Sequence, residues 1–112
     1  MKKIAIINCL KANEVCAGVA CLKAWEEKSR SFARYSGEET VLTAFARCNG
    51  CGNNPEENAG LLEKLNRIVE EGTQVVHFGM CTHDRNGVEC PVITRIGEWF
   101  EKKGIEVVRG TH

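Results

Sequence analysis

Two apolar patterns alternate along the chain, and this alternation restricts the fold more than any other feature of the sequence. Short apolar runs that are typical of buried strands occupy residues 3–8, 40–47, 74–79 and 105–108. The segments between these runs carry apolar residues at helical spacing. Strand and helix therefore alternate three times before a final strand, a pattern that predicts a parallel sheet with helices on both faces.

Right-handed crossover connections leave few ways to order four parallel strands, and we favour the order 2-1-3-4. We therefore expect an α/β fold with three layers, flavodoxin-like or Rossmann-like, in which helices cover both faces of a four-stranded parallel sheet. The 112 residues suit one domain of ordinary size, so a single domain is expected to span residues 1–112.

Capping residues indicate where the first two helices begin. Asn13 has the side chain of an N-cap, and it precedes a first helix that is expected to run to about residue 28. That helix would turn Val15, Val19 and Leu22 towards the core, since they lie at i, i+4 and i+7. A cap followed by proline, Asn54-Pro55, predicts the start of the second helix.

Charge and hydropathy argue against several classes of partner. The 15 basic and 15 acidic side chains give a net charge of zero, which offers no attraction to nucleic acid or to anionic membranes. The first apolar run stops at Asn8, too early for a signal peptide, and no stretch approaches the ~20 apolar residues of a membrane span. We therefore expect a cytoplasmic protein that binds neither nucleic acid nor membrane.

Seven cysteines are many for a chain of this length. In the reducing cytosol, such cysteines more often bind a metal or take part in redox chemistry than form structural disulfides. The number is also odd, and the chain is long enough to bury a core without cross-links.

Most of the cysteines follow the predicted strands, at the point where each strand ends. Cys9 follows the first strand, Cys48 and Cys51 follow the second, Cys81 follows the third, and His112 follows the fourth. Because the carboxyl ends of parallel strands share one edge of the sheet, we expect these side chains to meet there.

Two further cysteines are expected at the same edge because they lie at helix starts. Cys16 falls in the first turn of the predicted first helix, and Cys90 directly precedes Pro91, which opens the third. In open α/β sheets ligands bind where the strand order reverses, which in the order 2-1-3-4 is between the strands that end at Cys9 and Cys81.

Thiols gathered in this way favour a metal ion. Helix N-termini stabilise thiolate over thiol, and thiolates that repel one another need a cation. Thiolate ligands suit zinc and iron–sulfur clusters, and Cys48 and Cys51 have the spacing of a metal knuckle. We predict a metal-binding protein, with zinc as the first candidate and an iron–sulfur cluster as the second. The expected core ligands are Cys9, Cys48, Cys51 and Cys81, with Cys16, Cys90 and His112 as further ligands or outer-shell groups.

Three other residues have several interpretations. Cys21, a turn or more into the predicted first helix, is either a ligand or a small buried apolar residue. His83, two residues after Cys81, is either a ligand or solvated. His77 lies inside a buried strand and is expected to be a hydrogen-bonded core residue.

Several motifs recur together over essentially the whole chain. They are residues 3–7 followed by Cys9; Cys16 with Gly18 and Cys21; residues 32–35; residues 48–51; Cys81; Cys90-Pro91; and residues 110–112. With these motifs the chain resembles the CGGC-domain proteins, small prokaryotic proteins that are proposed to bind metal through many cysteines and histidines. The resemblance implies a metal-binding role and no particular reaction.

Two positions depart from that family's pattern. Asn49 stands where the family's central tetrapeptide, residues 48–51 here, has a glycine. The spacing between the two thiols is kept, but asparagine must adopt the backbone conformation of the turn. Val92 stands where members often have histidine, which removes one ligand candidate.

Two other functions stay open at this point. A thiol-based redox enzyme would use a cysteine of low pKa, such as Cys9, Cys16 or Cys90, to attack a substrate, and a neighbouring thiol to resolve the adduct. A small interaction domain would instead bury most of its cysteines.

Overall fold

The structure, a computed structural model, describes residues 1–49, 51–52 and 54–110, without the side chain of Asn13. The strands are β1 (Lys2–Cys9), β2 (Thr40–Cys48), β3 (Val75–Phe78) and β4 (Glu106–Arg109). All three pairings are parallel, and the strands form one sheet in the order β2-β1-β3-β4. The predicted α/β fold and the strand order 2-1-3-4 are confirmed.

Helices cover both faces of this sheet. They are α1 (Val19–Glu27), α2 (Ala59–Glu70) and α3 (Pro91–Lys102), with short 3-10 helices at Lys11–Glu14, Arg30–Tyr35 and Met80–Thr82. The side chains of β1 alternate between the faces. Ile4 and Ile6 pack with α1 and the 30–35 segment on the α1 face, whereas Ala5 and Ile7 pack with α2 and α3 on the α2–α3 face.

The first helix differs from the prediction at its start and in its buried side. It begins at Val19 instead of near Asn13, because Gly18 has a φ of +79° and breaks the helical path. Val15 and Val19 therefore do not share a continuous helix; they are 95% and 66% exposed, and Leu22 is 41% exposed. The expectation that these three residues face the core is wrong, and so is the placement of Cys16 inside the helix.

The second helix also starts later than predicted. Pro55 lies in a turn, and α2 begins only at Ala59. The cap is Asn58, whose Oδ1 accepts a hydrogen bond from the Leu61 N–H at 2.9 Å. No helix among the described residues is both long and apolar enough to cross a membrane.

His77 is the hydrogen-bonded core residue that the sequence predicts. Its Nε2 lies 2.8 Å from the Tyr35 hydroxyl, and its Nδ1 lies 3.1 Å from the Ser31 hydroxyl. Its ring stacks on Phe32 with centroids 4.4 Å apart. Burial, followed by the nearby positive charge of Arg34, lowers the pKa of His77 to about 4. These contacts fix the 30–35 segment against the α1 face.

Candidate functional site

Three strand-end cysteines lie in a row along the carboxyl edge of the sheet. Cys9 and Cys48 are register partners at the ends of β1 and β2. On the other side of Cys9, its backbone N–H donates a hydrogen bond to the sulfur of Cys81, with N and Sγ 3.2 Å apart. The sulfur of Cys81 thus lies at the point between β1 and β3 where the strand order reverses.

Further thiols meet Cys81 on the α1 face. The thiol of Cys21 lies 3.9 Å from Oδ1 of Asn8, a side chain that is 1% exposed. The thiol of Cys16, which is exposed on the connection before α1, accepts a hydrogen bond from the Gly18 N–H at 3.4 Å. We call the group of Cys16, Cys21, Cys81 and Asn8 the switch-point cluster.

The backbone of Gly79 marks the centre of this cluster. A Cβ added to Gly79 would lie 3.3 Å from Asn8 Oδ1, 3.4 Å from Cys81 Sγ and 3.7 Å from Cys21 Sγ. Two sulfurs and one amide oxygen therefore surround a single small space, which only glycine leaves open. The conformation of Gly79 is extended, at φ −66° and ψ 160°, so the absence of a side chain matters for space and not for backbone strain.

The thiols of the switch-point cluster act on one another electrostatically. Burial, reinforced by the charges of Cys81 and Cys16, raises the pKa of Cys21 to about 11. Burial also raises the pKa of Cys81; the N–H of Cys9 opposes this shift, while the charges of Cys9 and Cys16 add to it. Cys21 and Cys81 are therefore neutral thiols at pH 7 in the metal-free protein.

Two further cysteines lie towards the α2–α3 face. Cys48 is buried in the core beneath α2 and α3, and Cys90 packs against the same core. Cys51 is exposed in the turn that follows β2. Near Cys48, the ammonium of Lys64 donates hydrogen bonds to the Arg47 carbonyl and to Asn49 Oδ1. Burial lowers the pKa of Lys64, and the negative charge of a Cys48 thiolate opposes that shift.

Glu89 holds the connection that carries Cys81 and Cys90. Its carboxylate accepts hydrogen bonds from Arg109 Nε and from the Thr94 hydroxyl, the latter at 2.7 Å. Burial would raise the pKa of Glu89, but these hydrogen bonds and the charge of Arg109 outweigh it and keep the pKa low. His83 lies with Nε2 3.8 Å from the same carboxylate, so the structure places it beside Glu89.

The predicted ligands thus separate into groups. Cys16 and Cys81 belong to the switch-point cluster, Cys48 and Cys90 lie at the α2–α3 core, and Cys9 stands between Cys48 and Cys81. His112 lies outside the described residues. Within residues 1–49, 51–52 and 54–110, no three His, Cys, Asp or Glu side chains are placed so that they could hold a metal ion without moving.

The sequence predicts neither the part played by Asn8 nor the centre of the cluster, and it leaves Cys21 open as a ligand or a small buried apolar residue. In the sequence Asn8 is only the polar end of an apolar strand, although its position one residue before Cys9 puts it on the opposite face of β1. Cys21 lies five residues after Cys16, but a helix that began near Asn13 would have moved the two apart. Nothing in the sequence distinguishes Gly79 from the other glycines.

The chain is similar to a known protein family and to a protein of another organism. The family described as CGGC domain matches residues 3–112. The chain is 36% identical, over 118 aligned residues, to the uncharacterized protein MJ0582 of Methanocaldococcus jannaschii, with 98% of this chain and 86% of that protein covered. The comparison with solved structures found no match. The chain therefore belongs to the cysteine-rich CGGC domain family.

Proposed function

We propose that the switch-point cluster binds a thiophilic metal ion through the thiolates of Cys16, Cys21 and Cys81. The supporting observation is the convergence of two sulfurs and the Asn8 oxygen around the space beside Gly79. Zinc is the first candidate, because three protein ligands with one further position is an established zinc arrangement. An iron–sulfur cluster is the second candidate, since it uses the same thiolate ligands.

The donor set fits such an ion chemically. Thiolates are soft ligands, and the N–H of Cys9 that points at the Cys81 sulfur is the kind of outer-shell hydrogen bond that orients a metal-bound thiolate. Because no three ligands are already in place among the described residues, the thiols must close around the ion as it binds. Cys16 is on an exposed connection, so its thiol is the one that solvent and an incoming ion reach first.

Binding at this cluster is coupled to proton release. Metals bind thiolates, so the protons of Cys21 and Cys81 must leave as the ion enters. The raised pKa values of these two groups make metal affinity increase with pH through the neutral range. The same pKa shifts disfavour a redox function for Cys21 and Cys81, since an attacking thiol needs a lowered pKa.

We also propose that the protein works in the cytoplasm, where these thiols stay reduced.

The test is elemental analysis of protein purified without oxygen and without chelator, together with its absorption spectrum. We expect bound zinc, and we expect Cys16→Ser and Cys81→Ser each to lose it from this cluster. Val15→Ser is the matched control for Cys16→Ser, because Val15 is the exposed neighbour of Cys16 and offers no thiol. An iron–sulfur cluster would show itself by iron content and visible absorption.

Two results would contradict this proposal. One is protein without metal that also takes up none from added Zn²⁺. The other is full retention of zinc by both cysteine variants. If metal-free protein instead contains one thiol that reacts with iodoacetamide well below pH 8, the redox alternative is favoured.

A further inference from the structure

Two cysteines that the proposed function does not use are direct neighbours across the sheet. Cys9 and Cys48 are register partners at the carboxyl ends of the parallel strands β1 and β2. The backbone fixes this pairing, because the Leu10 N–H donates a hydrogen bond to the Cys48 carbonyl with N and O 3.2 Å apart. The two strand ends therefore hold these residues opposite each other.

The side chains of this pair share one side of the sheet. Cys48 packs with Ile7 in the α2–α3 core. Side chains alternate along β1, so Cys9, two residues after Ile7, lies on the same side. Cys21 of the switch-point cluster packs with Ile6 on the other side. Strand β1 thus separates the side chains of the pair from that of Cys21.

The spacing of the pair suits a disulfide that forms and breaks. Neighbouring strands lie about 4.7–4.9 Å apart, which is within the range of about 4.4–6.8 Å between the Cα atoms of bridged cysteines. Bridged Cβ atoms are closer, at about 3.8 Å, so the two strand ends must approach each other by about 1 Å. A bridge formed in this way is strained, and strained disulfides are the readily reduced ones.

The two thiols differ in exposure, and this difference sets the order in which they react. Cys9 is half-buried, whereas Cys48 is only 6% exposed. An oxidant that arrives from solvent therefore meets the sulfur of Cys9 first. Oxidation of a thiol begins with a sulfenic acid, which a neighbouring thiol converts into a disulfide. Cys48 is the neighbouring thiol that the sheet supplies.

We propose that Cys9 and Cys48 form an oxidative modification site, which hydrogen peroxide converts into a disulfide and low-molecular-weight thiols restore. In the first step the Cys9 sulfur bonds to one peroxide oxygen as the O–O bond breaks, and the thiol proton leaves with the other oxygen as water. In the second step the Cys48 sulfur bonds to the Cys9 sulfur as the S–O bond breaks, and the Cys48 proton leaves with the hydroxyl group as a second water.

The electrons balance in both directions. The two thiols lose two electrons, and one molecule of hydrogen peroxide gains them. In the reverse reaction, two molecules of a low-molecular-weight thiol return two electrons by thiol–disulfide exchange and leave as their own disulfide.

Oxidation of the pair also acts on the switch-point cluster, a consequence that rests on the proposed function. Strand β1 lies between β2 and β3, and the Cys9 N–H donates to the Cys81 sulfur with N and Sγ 3.2 Å apart. A bridge to Cys48 draws the end of β1 towards β2 and therefore away from Cys81. Loss of an outer-shell hydrogen bond of this kind weakens metal binding by about 10–100-fold, so zinc affinity at the cluster should fall at least ~10-fold.

Peptide mapping tests the pair directly, because trypsin isolates one of its thiols. Cleavage after lysine and arginine leaves Cys9 as the one cysteine of residues 4–11, while Cys48 and Cys51 share residues 48–64. Metal-free protein is treated with equimolar hydrogen peroxide, its remaining thiols are blocked with N-ethylmaleimide, and it is digested without reductant. We expect a disulfide-linked pair of these two peptides, which dithiothreitol separates.

Cys51 provides the matched control. It is exposed and shares a peptide with Cys48, so the link in Cys51→Ser must come from Cys48. We expect the linked peptides in the wild type and in Cys51→Ser, and none in Cys9→Ser. A disulfide within residues 48–64, or one between residues 12–23 and 68–85, in place of the expected link overturns the proposal.

Competition for Zn²⁺ against a chromophoric chelator separates this inference from the proposed function. We expect bridged wild-type protein to bind zinc at least ~10-fold more weakly than reduced protein, and we expect this loss to be absent from peroxide-treated Cys9→Ser. The same loss in Cys9→Ser, or equal affinity of bridged and reduced protein, overturns the action on the cluster. A bridge in protein that binds no Zn²⁺ in either state overturns the proposed function alone, and full zinc binding without a bridge overturns the oxidative site alone.

Discussion

Replacing Gly79 with alanine removes no thiol, yet it should disable the switch-point cluster. The new methyl group would stand 3.3 Å from Asn8 Oδ1 and 3.4 Å from the Cys81 sulfur, with the Cys21 sulfur at 3.7 Å. The distance to the Asn8 oxygen is tight and the distance to the Cys81 sulfur is at the lower limit of ordinary contact, so the Asn8 side chain must yield by a few tenths of an ångström. The backbone at φ −66° accepts alanine without strain.

The expected magnitudes follow from these distances. Overpacking in a buried place costs about 1–3 kcal/mol, while replacing glycine with alanine returns about 0.4–1 kcal/mol through the unfolded state. The free energy of unfolding should therefore fall by at most about 2.5 kcal/mol, and the protein should stay folded. Zinc requires sulfurs at about 2.3 Å from the ion, and a methyl group between the donors opposes that closure. Zinc affinity at this cluster should fall at least ~10-fold, about 1.4 kcal/mol.

The assay is competition for Zn²⁺ against a chromophoric chelator, with circular dichroism to verify folding. Gly60→Ala is the matched control, because among the described residues a Cβ there meets only Asn58 Oδ1, at 3.6 Å, on the surface of α2. We expect it to bind zinc as the wild type does and to gain up to ~1 kcal/mol of stability from helix propensity. Wild-type zinc affinity in folded Gly79→Ala protein would refute the assignment of the metal to this space.

Three further predictions concern the groups that support the site. Because the pKa of His77 is about 4 in the folded protein and 6.5 in a free chain, stability should be full above pH 6.5. It should fall by about 3 kcal/mol as the pH drops from 6.5 to 4, measured by urea unfolding, and a His77→Gln variant should lack this pH dependence. Tyr35→Phe should cost about 1–3 kcal/mol in unfolding free energy, because it leaves a buried His77 nitrogen without its hydroxyl partner. Glu89→Ala should make Cys81 of metal-free protein react several-fold faster with iodoacetamide, followed by mass spectrometry, since the carboxylate no longer ties the connection to Arg109.

The fold followed from the sequence because its determinants are local and repeated. Each strand is an apolar run, and the alternation with helices, combined with the handedness of crossovers, leaves the order 2-1-3-4. The start of α1 does not follow from the local sequence pattern, because the backbone conformation of Gly18 determines it. Gly18 adopts a left-handed conformation under the ring of Phe45, where an added Cβ would lie 3.0 Å from the ring carbon Cζ. That contact joins residues 27 positions apart, so no local pattern contains it.

The site was predictable only to the level of the sheet edge. Topology alone brings Cys9 and Cys81 to the point where the strand order reverses, and the structure places them within a hydrogen bond of each other. Topology does not say which face each thiol takes. That depends on register and on the start of α1, which together put Cys21 beside Asn8 and put Cys48 in the opposite core.

Metal binding and redox catalysis make opposite demands on the same thiols. A catalytic thiol is exposed and has a lowered pKa, so that thiolate is ready before the substrate arrives. Cys21 and Cys81 are less exposed and have raised pKa values. They therefore stay protonated until a bound cation stabilises their thiolate forms. Iodoacetamide should therefore modify the exposed Cys16 and Cys51 first, and the order should persist as the pH rises towards the range in which Cys21 ionises. If Cys81 or Cys21 reacts first near neutral pH, their environment favours thiolate, and the metal assignment loses its electrostatic basis.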